Sequence, residues 1–69
     1  MDLLKTIGHN VKKYRRQRHW SQEALAYESN LHRTSIGEIE RGTRNCSVLI
    51  IKQLADALKV EPHKLLIKE

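Results

Sequence analysis

The stretch SQEALAYESNLHRTSIGEIERG, from Ser21 to Gly42, confines this chain to a narrow set of folds. Ser21 is a strong helix N-cap. Asn30 is, after glycine, the residue best able to take positive φ and end a helix. Gly42 is the usual left-handed terminator. The spacing therefore predicts two short helices, one after Ser21 and one over about Arg33 to Arg41, joined by the tight turn Ser29-Asn30-Leu31.

Further helices flank this stretch. Asp2 caps a first helix running to about Arg18, with Leu4, Ile7, Val11 and Tyr14 on one face and most of the Lys and Arg elsewhere. Gly8 costs that helix roughly 1 kcal/mol relative to Ala and lets another helix approach closely. His19 follows where a left-handed residue is often needed. Trp20 and Leu25 stand at the spacing of a hydrophobic staple, and Ala26 sits where a bulky side chain would keep two helices apart. Ser47 caps a fourth helix ending near Lys59, its buried stripe being Val48, Ile51, Leu54, Ala55 and Leu58. Pro62 suits the first turn of a short final helix, in which Leu65, Leu66 and Ile67 cannot all face one core. Five helices and no credible strand predict an all-α fold, a single domain over residues 1–69 with its central motif at about 22–41.

That motif has the layout of a helix-turn-helix, whose second helix lies in the DNA major groove. Composition agrees with a polyanionic partner. Thirteen Lys and Arg face eight Asp and Glu, a net charge of +5, and most of the excess lies in residues 1–45. Each cation that meets a phosphate releases condensed counterions. Without Phe, and with one Trp and two Tyr, there is little material for stacking single-stranded bases, which favours duplex DNA over RNA. Cys46 is the only cysteine, so no internal disulfide forms and a cytoplasmic location is expected. No run approaches the roughly 18 apolar residues of a membrane span, and the start at Met1-Asp2 lacks the shape of a signal peptide. The four histidines are scattered, and none pairs with Cys46 at metal-ligand spacing. No metal, cofactor or small-molecule ligand is expected. Without a glycine-rich phosphate loop, paired carboxylates or a nucleophile–base set, the chain does not read as an enzyme.

At about 100° per residue, Arg33, Gly37, Arg41, Thr34 and Glu38 share an arc of roughly 140° on the third helix, and Ser35, Ile36, Ile39 and Glu40 fill the rest. Arg33 and Thr34, at its N-terminal end, are placed to read base edges. Arginine is the usual bidentate partner of guanine, worth roughly 1–3 kcal/mol of discrimination; the alternative for Arg33 is a phosphate contact alone. Glu38 either accepts from a cytosine amino group or repels phosphate. Gln22, Ser35, Arg41, Arg44 and Asn45 are expected on the DNA backbone, Gln22 through a helix N-terminus. Gly37 either admits the DNA backbone closely or is simply tolerated. Glu40, on the inner face, needs a partner because a lone buried carboxylate is costly, and Arg15 is the chosen one. Leu49, Ile50 and Ile67 exceed what one small core needs. They read either as scattered surface apolarity or as a dimer interface, which would present two reading helices to a palindromic site.

The spacing Gln22, Leu25-Ala26, Asn30-Leu31, Ile36, Ile39-Glu40-Arg41-Gly42 resembles the Cro/C1-type (XRE) helix-turn-helix domain of phage and bacterial repressors, from about Ile7 to Leu66. The resemblance implies a five-helix, lambda-repressor-like fold and places Arg15 and Glu40 at that family's inter-helix salt bridge. Residues 24–45 are further similar to the controller proteins of restriction–modification systems. That likeness implies a bacterial homodimer that binds operator DNA and regulates its own gene and the endonuclease gene. Ser35 stands where controllers often carry Tyr, His32 where they often carry Asp, and Cys46 where the wider family has Pro. A phage repressor, or an antitoxin-like interaction module with secondary DNA binding, is the alternative.

Overall fold

A computed structural model describes residues 2–68; Met1 and Glu69, the ends of the expected domain, lie outside the described residues. The described residues form four α-helices and one 3-10 turn: α1 (Leu3–Gln17), α2 (Gln22–Ser29), α3 (Arg33–Arg41), α4 (Val48–Leu58) and the turn Pro62–Leu65.

Each boundary has a local cause. The Asp2 carboxylate accepts from the Lys5 N–H at 3.2 Å, Ser21 Oγ from Ala24 N–H at 3.0 Å and Ser47 Oγ from Ile50 N–H at 3.2 Å. At the other ends the chain turns through positive φ at His19 (58°), Asn30 (60°), Gly42 (75°) and Lys59 (61°). Only Gly42 requires glycine for space as well as for φ, because a Cβ there would stand 2.9 Å from Lys5 Cγ.

The core runs through all the helices. Ile7 and Val11 of α1 meet Leu25 and Ala26 of α2, Ile36 and Ile39 of α3, and the α4 stripe Ile51, Leu54, Ala55 and Leu58; Trp20 and Leu31 pack on its edge. α1 and α3 approach closely at Gly8. A Cβ on Gly8 would overlap the carbonyl oxygen of Ile39 and lie 2.7 Å from that of Glu40, so the glycine expected to admit a neighbouring helix does so.

Two expectations fail. The final helix is a single 3-10 turn, so the described residues form four α-helices rather than the expected five. Its hydrogen bonds are of the tighter kind, Lys64 N–H to the Glu61 carbonyl (2.9 Å) and Leu66 N–H to that of His63 (3.0 Å). It does not propagate because the Asn10 amide, 1% exposed, donates to the carbonyls of Lys64 (3.3 Å), Leu65 (3.0 Å) and Ile67 (2.8 Å). Leu65 alone of the three apolar residues there is buried. Val48, expected in the α4 stripe, is 85% exposed. As the first residue of α4 it precedes the body of the domain, and the stripe begins at Ile51.

Asn10→Ala would leave those carbonyls without a donor. It is expected to cost about 1–3 kcal/mol in urea unfolding and to speed hydrogen exchange of the Leu66 amide.

Candidate nucleic-acid interface

The candidate surface is the outer face of α3, and what holds it outward lies on the inner face. There the Glu40 carboxylate, 4% exposed, accepts three hydrogen bonds: from Arg15 Nε (2.6 Å), Arg15 Nη2 (3.0 Å) and Gln22 Nε2 (3.0 Å). The remaining Arg15 Nη1 donates to the Trp20 carbonyl at 2.8 Å. This is the expected pair, with both of its charges hydrogen-bonded. The hydrogen bond to Glu40 raises the Arg15 pKa by more than burial lowers it, so the guanidinium stays charged. Gln22 is thereby drawn into the scaffold: one N–H of the residue expected on a phosphate ties α2 to α3.

On the outer face Arg33 and Thr34 are exposed. Arg33 Nη1 lies 3.6 Å from Glu23 Oε1 on α2, both side chains being well solvated. Thr34 N–H donates to His32 Nδ1 at 3.1 Å, so His32 is the N-cap of α3. Sequence reasoning missed that cap, because histidine is not among the usual N-cap residues. Gly37, expected either to admit the DNA backbone closely or to be simply tolerated, is buried. Arg41 Nη1 and Gln22 Oε1 would stand 3.3 and 3.8 Å from a Cβ placed there.

Beyond α3, Arg44 Nη1 meets Glu38 Oε1 at 3.1 Å. The Thr43 N–H and Oγ1 both donate to the Glu38 carbonyl, at 3.0 and 3.2 Å. Arg33, Thr34, Glu38, Arg41 and Arg44 thus gather along one helix and the loop that leaves it. Ser35 is half-buried. Asn45 is elsewhere, on the rim of an apolar groove with Leu3, Cys46, Val48 and Leu66.

That groove, about 560 Å³, lies between the start of α1, the start of α4 and the C-terminal turn. Of the residues expected at a dimer interface, Leu49 (74% exposed) and Ile67 (43%) are open to solvent, whereas Ile50 is half-buried against the core. Burial pushes the Cys46 thiol up, with Arg44 partly opposing, so little thiolate forms near neutrality. Among the described residues no three His, Cys, Asp or Glu side chains converge as a metal site, and no helix is long and apolar enough to cross a membrane.

Residues 11–65 match the model of the helix-turn-helix family HTH_3. The chain is 48% identical over 61 residues to the control protein C.BamHI of Bacillus amyloliquefaciens, covering 87% of this chain and 75% of that one. It is 42% identical over 69 residues to the control protein C.SmaI of Serratia marcescens, covering 100% and 82%. The solved structure of the restriction–modification controller protein C.AhdI from Aeromonas hydrophila superposes with a TM-score of 0.87 at 42% identity, over 90% of this chain and 94% of that one.

Replacing Arg15 with Met strands a buried carboxylate. A loss of about 3–5 kcal/mol is expected in chemical denaturation, and most of it should return when Glu40 is replaced by Leu in the same chain.

Proposed function

This chain belongs to the helix-turn-helix family HTH_3, alongside the controller proteins of restriction–modification systems, and from that membership we propose how it works as a DNA-binding regulator of transcription. It is a sequence-specific reader of double-stranded DNA, acting as a homodimer on a palindromic operator and controlling a restriction–modification system. The single observation that carries the reading is the division of α3. Ile36, Ile39 and Glu40 are fastened inward, while Arg33, Thr34, Glu38 and Arg41 stand together outward.

With α3 in the major groove, Arg33 donates to a guanine edge, Thr34 reads beside it and Glu38 faces base amino groups. Arg41, Arg44 and Ser35 meet the flanking phosphates, which set register without carrying sequence information. Gln22 steadies α3 and offers its second N–H to the backbone, and Asn45, next to Arg44 in the same exposed loop, meets the outermost phosphate. The family's members are regulators, and the chemistry assigned here is recognition, without a catalytic step or a resident cofactor. Its place is with the DNA in the cytoplasm.

One copy reads half a site. The solvent-facing Leu49 and Ile67, with Val48 and Leu66 beside the apolar groove, form the face on which a second copy sits. Ile50 contributes only the part of its side chain that the core leaves open. A two-fold pair on that face places two α3 helices about one DNA turn, ~34 Å, apart.

Selection of bound sites from random duplexes should yield an inverted repeat. Arg33→Ala is expected to lose about 1–3 kcal/mol on that repeat, relax one base pair in each half, and leave random-duplex binding nearly unchanged; equal losses on both would reject its assignment. Leu49→Asp should keep its helical circular dichroism but sediment as a monomer, because the side chain contributes little to the monomer's own core.

A further inference from the structure

We propose that Glu38 and Arg44 work as one charge-exchange unit. In the free protein and on random duplex Glu38 holds Arg44. At the operator Glu38 turns to a base-edge amino group and releases Arg44 to a backbone phosphate. The proposal rests on the DNA-reading assignment above and adds a linkage between reading and gripping that neither residue supplies alone.

The geometry brings the two charges together at 3.1 Å, with the Arg44 and Glu38 side chains 42% and 37% exposed. A duplex can therefore reach either one, and an ion pair this wet is readily exchanged. Backbone, rather than chance, delivers Arg44 to this place. Gly42 turns the chain at φ 75°, against Lys5, and Thr43 is fastened to the Glu38 carbonyl through both its N–H and its hydroxyl. The next residue is Arg44. Its neighbours on this surface are held differently: Arg33 lies 3.6 Å from a more exposed Glu23, and Arg41 lies over Gly37.

On a duplex that offers Glu38 no donor, the carboxylate repels phosphate and retains Arg44, and one phosphate contact is forgone. Cytosine N4 and adenine N6 amino groups are the major-groove donors able to take Glu38's attention. Where one of them stands in reach, the carboxylate gains a partner and Arg44 is freed at the same moment. Specificity then rises because the wrong sequence is gripped less, with no additional contact area.

The test uses the full chain as wild type, Glu38→Gln, Arg44→Ala and the double variant. Each is titrated across a salt series against a random-sequence duplex and against the tightest duplex recovered by selection, with circular dichroism confirming that each is folded. Glu38→Gln should tighten random-duplex binding roughly threefold to tenfold and steepen its salt slope by about 0.9, the value for one more phosphate contact. Most of that gain, and the whole of the added salt slope, should be lost when Arg44 is Ala, and the ratio of selected to random affinity should fall. Removing any negative charge helps DNA binding in a general way, and that general effect persists without Arg44. The same gain in both backgrounds, unchanged random binding, or an unchanged ratio would each overturn the proposal. A wild-type chain that binds neither duplex would overturn the DNA-reading assignment itself, which is a distinct result.

Discussion

Everything about the outer face of α3 depends on how α3 is held against α1. Two features on one side of α1, Gly8 and Arg15, do this in different ways. Gly8 permits the approach, since a Cβ would collide with the carbonyls of Ile39 and Glu40. Arg15 then fixes the angle through two hydrogen bonds to Glu40. A buried ion pair is a doubtful source of net stability, because desolvation offsets much of the attraction. This one answers that objection with Gln22 on the carboxylate and the Trp20 carbonyl on the guanidinium. Bidentate geometry is directional, so its contribution lies in orientation more than in strength. Three segments that meet nowhere else in sequence are thereby held in one arrangement.

What the amino-acid order disclosed follows the range of the interactions concerned. Helix ends at Asp2, Ser21, Asn30 and Gly42 rest on contacts within a few residues, and the structure places them where capping chemistry puts them. The Arg15–Glu40 pair was legible despite its separation, because a carboxylate on the apolar face of α3 demands a cation and few are placed to supply it. Asn10 gave no such warning. An asparagine inside a helix reads as a surface residue, and its partners are carbonyls more than fifty residues away. The short last element was misjudged for the same reason: a proline-initiated helix stops after one turn when another element captures its carbonyls. Val48 fits the α4 period, but periodicity carries no information about where the body of the domain ends. The surface ion pairs of Arg33 and Arg44 join residues on different elements or beyond a turn, and only the fold shows that they meet.

The two ends of the buried arc of α1 have a joint consequence. At about 100° per residue, Arg15 falls within roughly 20° of Gly8, and Asn10 falls about 160° around the helix from Gly8. Ile7 and Val11 lie between them and face the core. One edge of the arc therefore fastens α3, and the other fastens the C-terminal turn that carries Leu66 and Ile67. A rigid α-helix separates the face proposed to read DNA from part of the face proposed to meet a second copy. In a two-fold dimer, the distance between reading helices is twice the offset of α3 from the dimer axis, so any slack between those faces appears doubled in the spacing. A palindrome offers its half-sites at one fixed spacing, and a loose connection would lose the second half-site's contribution. Glycine against carbonyl on one edge, and an amide on three carbonyls on the other, are short-range constraints with little play. Neither touches the outer face of α3, yet in the proposed dimer the two between them set where a second α3 stands.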